Sequence, residues 1–274
     1  MILNRRHWLT LSLSALGSTA TLQGRDSARS GSAKKGLGIA AKRDGWEDAL
    51  LALRCKWFYN WNLKHPGGEK MTVPHVPMVW KRPWKQEPLI VAAKNARAKG
   101  VKELLGFNEP DEDSQADMKV ATALDAWPML EKTGMRLGSP GCVHPDGDWM
   151  KQFMAGVEKR GLKVDFVCVH SYGGTDVDAF IKRLGEVQRM FRRPIWITEF
   201  AVGDWDAKSV EQNRHRPDQV LRYMETLLPM LDRMDFIERY AWFPSAPDHG
   251  PLGTSALFDR EGKLTRLGEC YRDA

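Results

Sequence analysis

Apolar and polar positions divide the chain into eight short runs dense in β-branched and aromatic residues, at 35–41, 55–62, 73–80, 103–111, 136–143, 165–173, 194–201 and 237–244. Each has the length and composition of a strand. Between most of them the apolar spacing lengthens to that of a helix. Asp44 and Glu47 are spaced as a capping box before 49–54, and Pro88 stands at a helix start. Thr175 with Asp178 reads as a further cap, and Pro217 begins an amphipathic run that reaches 234. Strands that alternate with helices pair in parallel and are buried on both faces.

Eight such units favour an α/β fold closed into a single (β/α)8 TIM barrel over an open doubly wound sheet. The open sheet would more often carry a Gly-rich phosphate loop after its first strand, and Gly36-Leu37-Gly38 is too early and too short for that. Two places depart from the ideal. Only 63–72 separate the second and third strands, where a parallel crossover takes about a dozen residues or more, so this unit is expected to lack a proper helix. Pro128 is expected to kink or restart the helical run that contains it.

The length of 274 residues matches a barrel of roughly 250 residues, so one domain is expected. With 42% hydrophobic and 28% charged residues and a mean hydropathy of -0.46, the composition is that of a water-soluble globular chain. No apolar run approaches the ~20 residues of a membrane span. Residues 1–24 start with Arg5 and Arg6, continue through a weakly apolar Leu/Ser/Thr stretch and end near Ala20. This reads as a signal peptide resembling a twin-arginine leader, with an ordinary secretory signal as the alternative, and implies export to a periplasmic or extracellular location. Residues 25–34, rich in Ser, Gly and charge, read as a flexible tether before a catalytic domain at 35–274.

The formal charge of +6 falls to +4 when Arg5 and Arg6 are set aside. The basic residues, among them Lys34, Lys35, Arg192, Arg193, Arg214 and Arg216, form no stripe interleaved with aromatics, so they read as a solvated surface and nucleic acid is not an expected partner. Cys55, Cys142, Cys168 and Cys270 lack metal or redox spacing and read as small hydrophobes or optional bridges. The 11 tryptophans exceed what a core of this size needs, which raises aromatic platforms for a flat ligand.

Barrel chemistry sits at the C-terminal ends of strands. There the apolar Leu104-Leu105-Gly106-Phe107 ends in Asn108-Glu109-Pro110-Asp111, and Ile195-Trp196-Ile197-Thr198 ends in Glu199-Phe200. Glutamates on the fourth and seventh strands can face each other across the mouth about 5 Å apart, the spacing of a retaining glycosidase. One attacks the anomeric carbon while the other, protonated under its neighbour's charge, serves the leaving oxygen. Asn108 supplies an amide for a sugar hydroxyl, and Pro110 fixes the following turn.

These segments resemble glycoside hydrolase family 128, together with Trp57-Phe58-Tyr59-Asn60-Trp61, Val76-Pro77-Met78-Val79-Trp80, Gly138-Ser139-Pro140, Val169-His170-Ser171-Tyr172 and Arg239-Tyr240-Ala241-Trp242-Phe243 in order. The resemblance implies retaining endo-hydrolysis of β-1,3-glucan with no metal or other cofactor. It implies Glu109 as acid/base, Glu199 as nucleophile and Tyr172 as the nucleophile's hydrogen-bond donor, supported by Asn108. Asn60, Trp61, Trp80, His170, Trp205 and Trp242 are the expected substrate contacts, the partner a neutral polysaccharide or oligosaccharide, and the protein a monomer.

A metal-dependent barrel hydrolase would need converging His and carboxylate ligands, yet the seven histidines are dispersed. Gly138-Ser139-Pro140-Gly141 is not the G-x-S-x-G elbow of a serine hydrolase. A non-catalytic glycan-binding wall protein on the same fold would keep the tryptophans and lose the glutamates, and both glutamates are present. Another β-glycan as substrate, or transglycosylation, stays open, because subsite shape lies in loops.

Overall fold

Strand segments here are apolar on both faces because each faces the barrel interior on one side and a helix on the other. In the computed structural model, which describes residues 31–41, 45–67 and 71–274, the strands are β1 (Lys35–Gly38), β2 (Trp57–Tyr59), β3 (Glu103–Leu104), β4 (Arg136–Leu137), β5 (Val167–Ser171), β6 (Ile195–Phe200) and β7 (Ile237–Trp242). All pairings are parallel: β1 with β2 and β7, β3 with β4, and β6 with β5 and β7.

The two groups of strands are joined into a ring by single bridges. On one side Phe58 pairs with His75 and Met78 with Leu105; on the other Gly138 pairs with Phe166 and Cys142 with Val169. The expected third strand at 73–80 is therefore present only as an irregular stave. Its hydrogen bonds, Phe58 N to Pro74 O at 3.0 Å and Leu105 N to Pro77 O at 2.9 Å, place it between β2 and β3 and complete an eight-staved barrel. Pro74 and Pro77 have no N–H to give a regular ladder, which explains the irregularity. No helix lies between β2 and this stave among the described residues, as the short spacer implied.

The helices are α1 (Trp46–Ala52), α2 (Glu87–Ala98), α3 (Val120–Glu131), α4 (Asp148–Arg160), α5 (Val177–Phe191), α6 (Pro217–Arg233) and α7 (Arg266–Asp273). Each of the longer ones turns one apolar stripe inward. In α5 the buried Phe180, Leu184, Val187 and Phe191 fall on one face; in α6 the buried stripe runs from Val220 to Leu231. Pro88 lies in the first turn of α2 and Pro217 opens α6, where a missing N–H costs nothing.

Several local expectations need correction. α1 starts after Gly45 in the left-handed region, with no side-chain cap, and Asp44 lies outside the described residues. The cap of α5 is Asp176, which accepts from Ala179 N at 2.9 Å, not Thr175 with Asp178. Pro128 does not restart a helix, since α3 continues through it to Glu131. Residues 31–34 are not free tether, because Ser32 N donates to Ala274 O and Lys34 Nζ to the carbonyls of Leu231, Asp232 and Met234. Lys35 is not on the surface. It is fully buried, and its ammonium donates to the carbonyls of Tyr271, Arg272 and Ala274 at the end of α7. The signal-peptide residues and 25–30 lie outside the described residues. The four cysteines are unpaired, and three of them are buried.

The N-terminal ends of the strands are plugged by charge and aromatic rings. Arg136 pairs with Glu238 at 2.7 Å, Arg239 reaches Glu103 at 3.5 Å and lies 4.2 Å over the Trp196 ring, and Trp196 Nε1 donates to Glu238. With that end sealed, the opposite mouth is the opening available for chemistry.

Candidate active site

Glu109 reaches the mouth through a strained turn. Asn108 still pairs with Gly141, and Glu109 N donates to Gly141 O at 2.7 Å, but Glu109 itself has φ 41, in the left-handed region. Such a backbone is costly for a residue with a side chain and persists only when its surroundings over-determine it. They do here. The Asp111 carboxylate accepts from Val143 N and His144 N at 3.0 and 2.9 Å, and Met118 N donates to Pro110 O. Asn108 is buried behind, its amide donating to Gln115 Oε1 at 3.1 Å.

Glu199, near the C-terminal end of β6, is only 5% exposed and is held by three neutral donors. Its Oε1 accepts from Tyr59 OH at 2.9 Å and Trp61 Nε1 at 2.8 Å, and its Oε2 accepts from Tyr172 OH. Burial first, and then the charge of Glu199, push both phenols well above the usual tyrosine range, so they remain protonated donors. Gly38 makes room for this: a Cβ there would lie 2.9 Å from the Tyr59 ring.

His170, from β5, stands between the glutamates. Its Nδ1 is 2.8 Å from Glu109 Oε1, and its Nε2 is 3.6 Å from Glu199 Oε1. At 1% exposure it links the two carboxylates, and it also borders the cleft between them. Gly141 packs over the ring, since a Cβ there would meet Nε2 at 2.5 Å. Burial lowers the basicity of the imidazole, but the charges of Glu199, Glu109 and Asp111 and the hydrogen bond to Glu109 outweigh it, and the net shift is upward.

One ligand-type atom from each of Glu109, His170 and Glu199 lies within 4.8 Å of the others. A cation could fit by distance alone. Both Glu199 oxygens, however, already accept from phenol or indole donors, and His170 Nδ1 is bonded to Glu109. The arrangement suits two carboxylates acting on a substrate between them, at the short separation that permits covalent double displacement.

These groups open into a cleft of about 960 Å³ lined by Asn108, Glu109, His170, Tyr172 and Glu199, with Trp61, Trp80, Trp205 and Phe243 as its aromatic walls. Trp205 is 58% exposed and donates through Nε1 to Tyr172 O at 3.3 Å. Two expected contacts are absent from the lining. Trp242 is fully buried, packs on Phe200 and donates to Ser255 O, so its neighbour Phe243 takes the place in the wall. Asn60 points to His75, whose Nε2 is 2.7 Å from its Oδ1, and to Lys64 O. Sequence reasoning also missed Tyr59 as a donor to Glu199. Its only signal was membership of an aromatic run on a strand, which core packing explains equally well.

The glycosyl hydrolase catalytic core family model matches residues 37–271. Among solved structures, the chain is similar to a glutamate-to-alanine mutant of a glycoside hydrolase family 128, subgroup I, endo-β-1,3-glucanase from Amycolatopsis mediterranei, solved with laminaritriose and laminaribiose. Identity is 32%, covering 88% of this chain and 98% of that one, with a TM-score of 0.73. It is also similar to a subgroup III curdlan-specific exo-β-1,3-glucanase from Blastomyces gilchristii, solved with glucose, at 28% identity, 89% and 99% coverage and a TM-score of 0.69. A curated relative, Alkali-sensitive linkage protein 1 of Schizosaccharomyces pombe, is 29% identical over 252 residues, 88% of this chain and 44% of the relative, so the chain spans less than half that protein's length. The matched span includes both mouth glutamates and their donors, and the chain belongs to the glycosyl hydrolase catalytic core family, in the form found in glycoside hydrolase family 128.

Proposed function

We propose that the protein is a retaining β-1,3-glucanase acting within chains. The observation that carries this reading is the placement of Glu109 and Glu199 in one cleft, with ligand atoms within 4.8 Å, walled by aromatic rings. Glu199, oriented by Tyr59, Trp61 and Tyr172, attacks the anomeric carbon. Glu109 protonates the departing oxygen and then, as a carboxylate, activates the water that hydrolyses the glycosyl–enzyme. Trp61, Trp80, Trp205 and Phe243 offer rings to the apolar faces of glucose units, and Asn108 an amide beside the reacting centre.

The linkage assignment is supported by the laminarioligosaccharide bound in the similar Amycolatopsis enzyme. The endo assignment is supported by cleft walls contributed from many sides of the mouth, from Trp80 and Gln115 to Trp205 and His249. We further propose that residues 1–24 direct export and that the domain acts as a monomer on a neutral polymer.

The test is digestion of curdlan, laminarin and a β-1,4-glucan with product analysis. Short laminarioligosaccharides of retained configuration are expected. Binding without products would replace the enzyme with a glycan-binding protein, and cleavage of only the β-1,4 polymer would overturn the linkage. Glu199→Gln should abolish turnover and keep oligosaccharide binding.

A further inference from the structure

The double displacement needs a proton on Glu109 in its first half and none in its second, and His170 is placed to manage that exchange. The ring is buried, hydrogen-bonded through Nδ1 to Glu109 Oε1 at 2.8 Å, and turned so that Nε2 faces Glu199 Oε1 at 3.6 Å. Nε2 has no hydrogen-bond partner, which is unusual for a buried polar atom. Gly141 leaves the space that lets the ring lie there.

We propose that His170 is a proton relay, holding at Nδ1 the proton that Glu109 passes to the leaving oxygen and taking it back when the glycosyl–enzyme is hydrolysed. The inference rests on the retaining reading above. It differs from a fixed scaffold role in that the proton occupancy of the ring changes within each turnover.

The cycle balances as follows. The proposed cycle begins with a proton on His170 Nδ1, at the 2.8 Å contact with Glu109 Oε1. Glu199 forms a bond to the anomeric carbon, the glycosidic bond breaks with its electron pair on the leaving oxygen, and that oxygen takes a proton from Glu109, which has received it from His170 Nδ1. The imidazole is then neutral. In the second half water bonds to the anomeric carbon, the ester bond breaks with its pair returning to Glu199, and the water proton passes through Glu109 to Nδ1. The starting state is restored.

Electrostatics drives the relay in the needed direction. The charges bearing on the ring come from Glu199 on β6, Glu109 beyond β3 and Asp111 in the following turn, and all are carboxylates. Esterification removes the Glu199 charge beside Nε2, so the ring binds its proton less tightly in the step that consumes a proton. Hydrolysis of the ester restores the charge and the affinity. Tyr59 and Tyr172 stay protonated throughout and do not compete.

The test has two arms. In the first, the His170 ring of the full chain is titrated by nitrogen-labelled NMR in the parent and in Glu199→Gln. The expected result is a ring cationic above the ordinary histidine range in the parent and shifted down by about one pH unit or more in the variant. A ring neutral in the parent, or unmoved by the variant, overturns the relay. This arm needs no turnover, so it stands even if the glucan assignment fails. In the second, kcat/KM against pH is compared for the parent and His170→Asn, which can keep a hydrogen bond to Glu109 but no charge. The alkaline limb should move to lower pH, with a larger loss on poor leaving groups than on activated aryl glycosides. A uniform loss with an unmoved profile would make His170 a packing residue and overturn the proposal.

Discussion

Glu199 is held by three donors that carry no charge, and that choice has a chemical consequence. Two phenols and an indole N–H orient the carboxylate without the strong attraction of a lysine or arginine, so the oxygens remain available to attack carbon. Tyr172→Phe removes the one donor to Oε2 among the described residues. We expect kcat to fall on the order of tenfold or more with the melting temperature little changed, and steady-state kinetics beside thermal melts would check it. An equal effect on KM alone would show that the phenol serves binding instead. His75 makes a separate case at this scale. Burial first, then the charges of His65 and Lys99, lower it to about 3. The unfolded chain takes up this proton through the ordinary histidine range, about 6.5, and the folded chain does not until about 3. Between those values the unfolded state binds more protons, so stability should fall as pH drops through that window. His75→Gln keeps a donor to Asn60 and should flatten this acid limb in melting curves taken across pH. An unchanged limb would move the acid sensitivity to other groups.

At the scale of elements, the loop after β6 is held by one buried carboxylate. Asp204 accepts from Arg214 N at 2.9 Å and binds the Arg214 guanidinium at 2.5 Å, an ion pair and hydrogen bonds that hold its carboxyl well below the usual range. The loop so closed carries Trp205 against Tyr172. Asp204→Ala should therefore raise KM for long glucans severalfold while leaving kcat for short activated substrates near the parent value; a loss confined to kcat would contradict a binding role for the loop. Strand ends also decide what could be read from the sequence. Glu109 and Glu199 were legible because each follows an apolar run in the sequence, 104–107 and 195–197, with one polar residue between. Trp242 was misplaced because a tryptophan at a strand end reads alike as core or cleft wall, and its burial rests on Phe200 and on the carbonyl of Ser255, contacts that no local pattern encodes. The contacts of Tyr59 and Trp61 with Glu199 were hidden for another reason: β2 and β6 meet only across β1 and β7, and nothing local encodes that approach. The cap of α5 was misplaced by one to two residues among Thr175, Asp176 and Asp178, all of which can accept from a helix N-terminus.

For the whole molecule, the expected barrel and its missing second helix were both readable, because eight apolar runs and one short spacer are counts and not contacts. The irregular third stave was not, although Pro74 and Pro77 carried the warning. That stave turns a closed barrel into one with a seam. From β5 through β6, β7 and β1 to β2 the strands are stitched by continuous ladders, whereas here the wall depends on a few bonds from a segment containing two residues that cannot donate. Amide exchange at Val76 and Val79 should accordingly outpace that at Val169 or Ile197 by at least about an order of magnitude, measured by mass spectrometry or NMR; equal protection would mean that side-chain packing alone seals the wall. Since Trp80 closes the same stave and faces the cleft, any parting of the seam widens the cleft entrance. The weakest plank of the cask would then sit at the entrance, while the laddered wall from β5 to β2 keeps Glu199 and its donors in register.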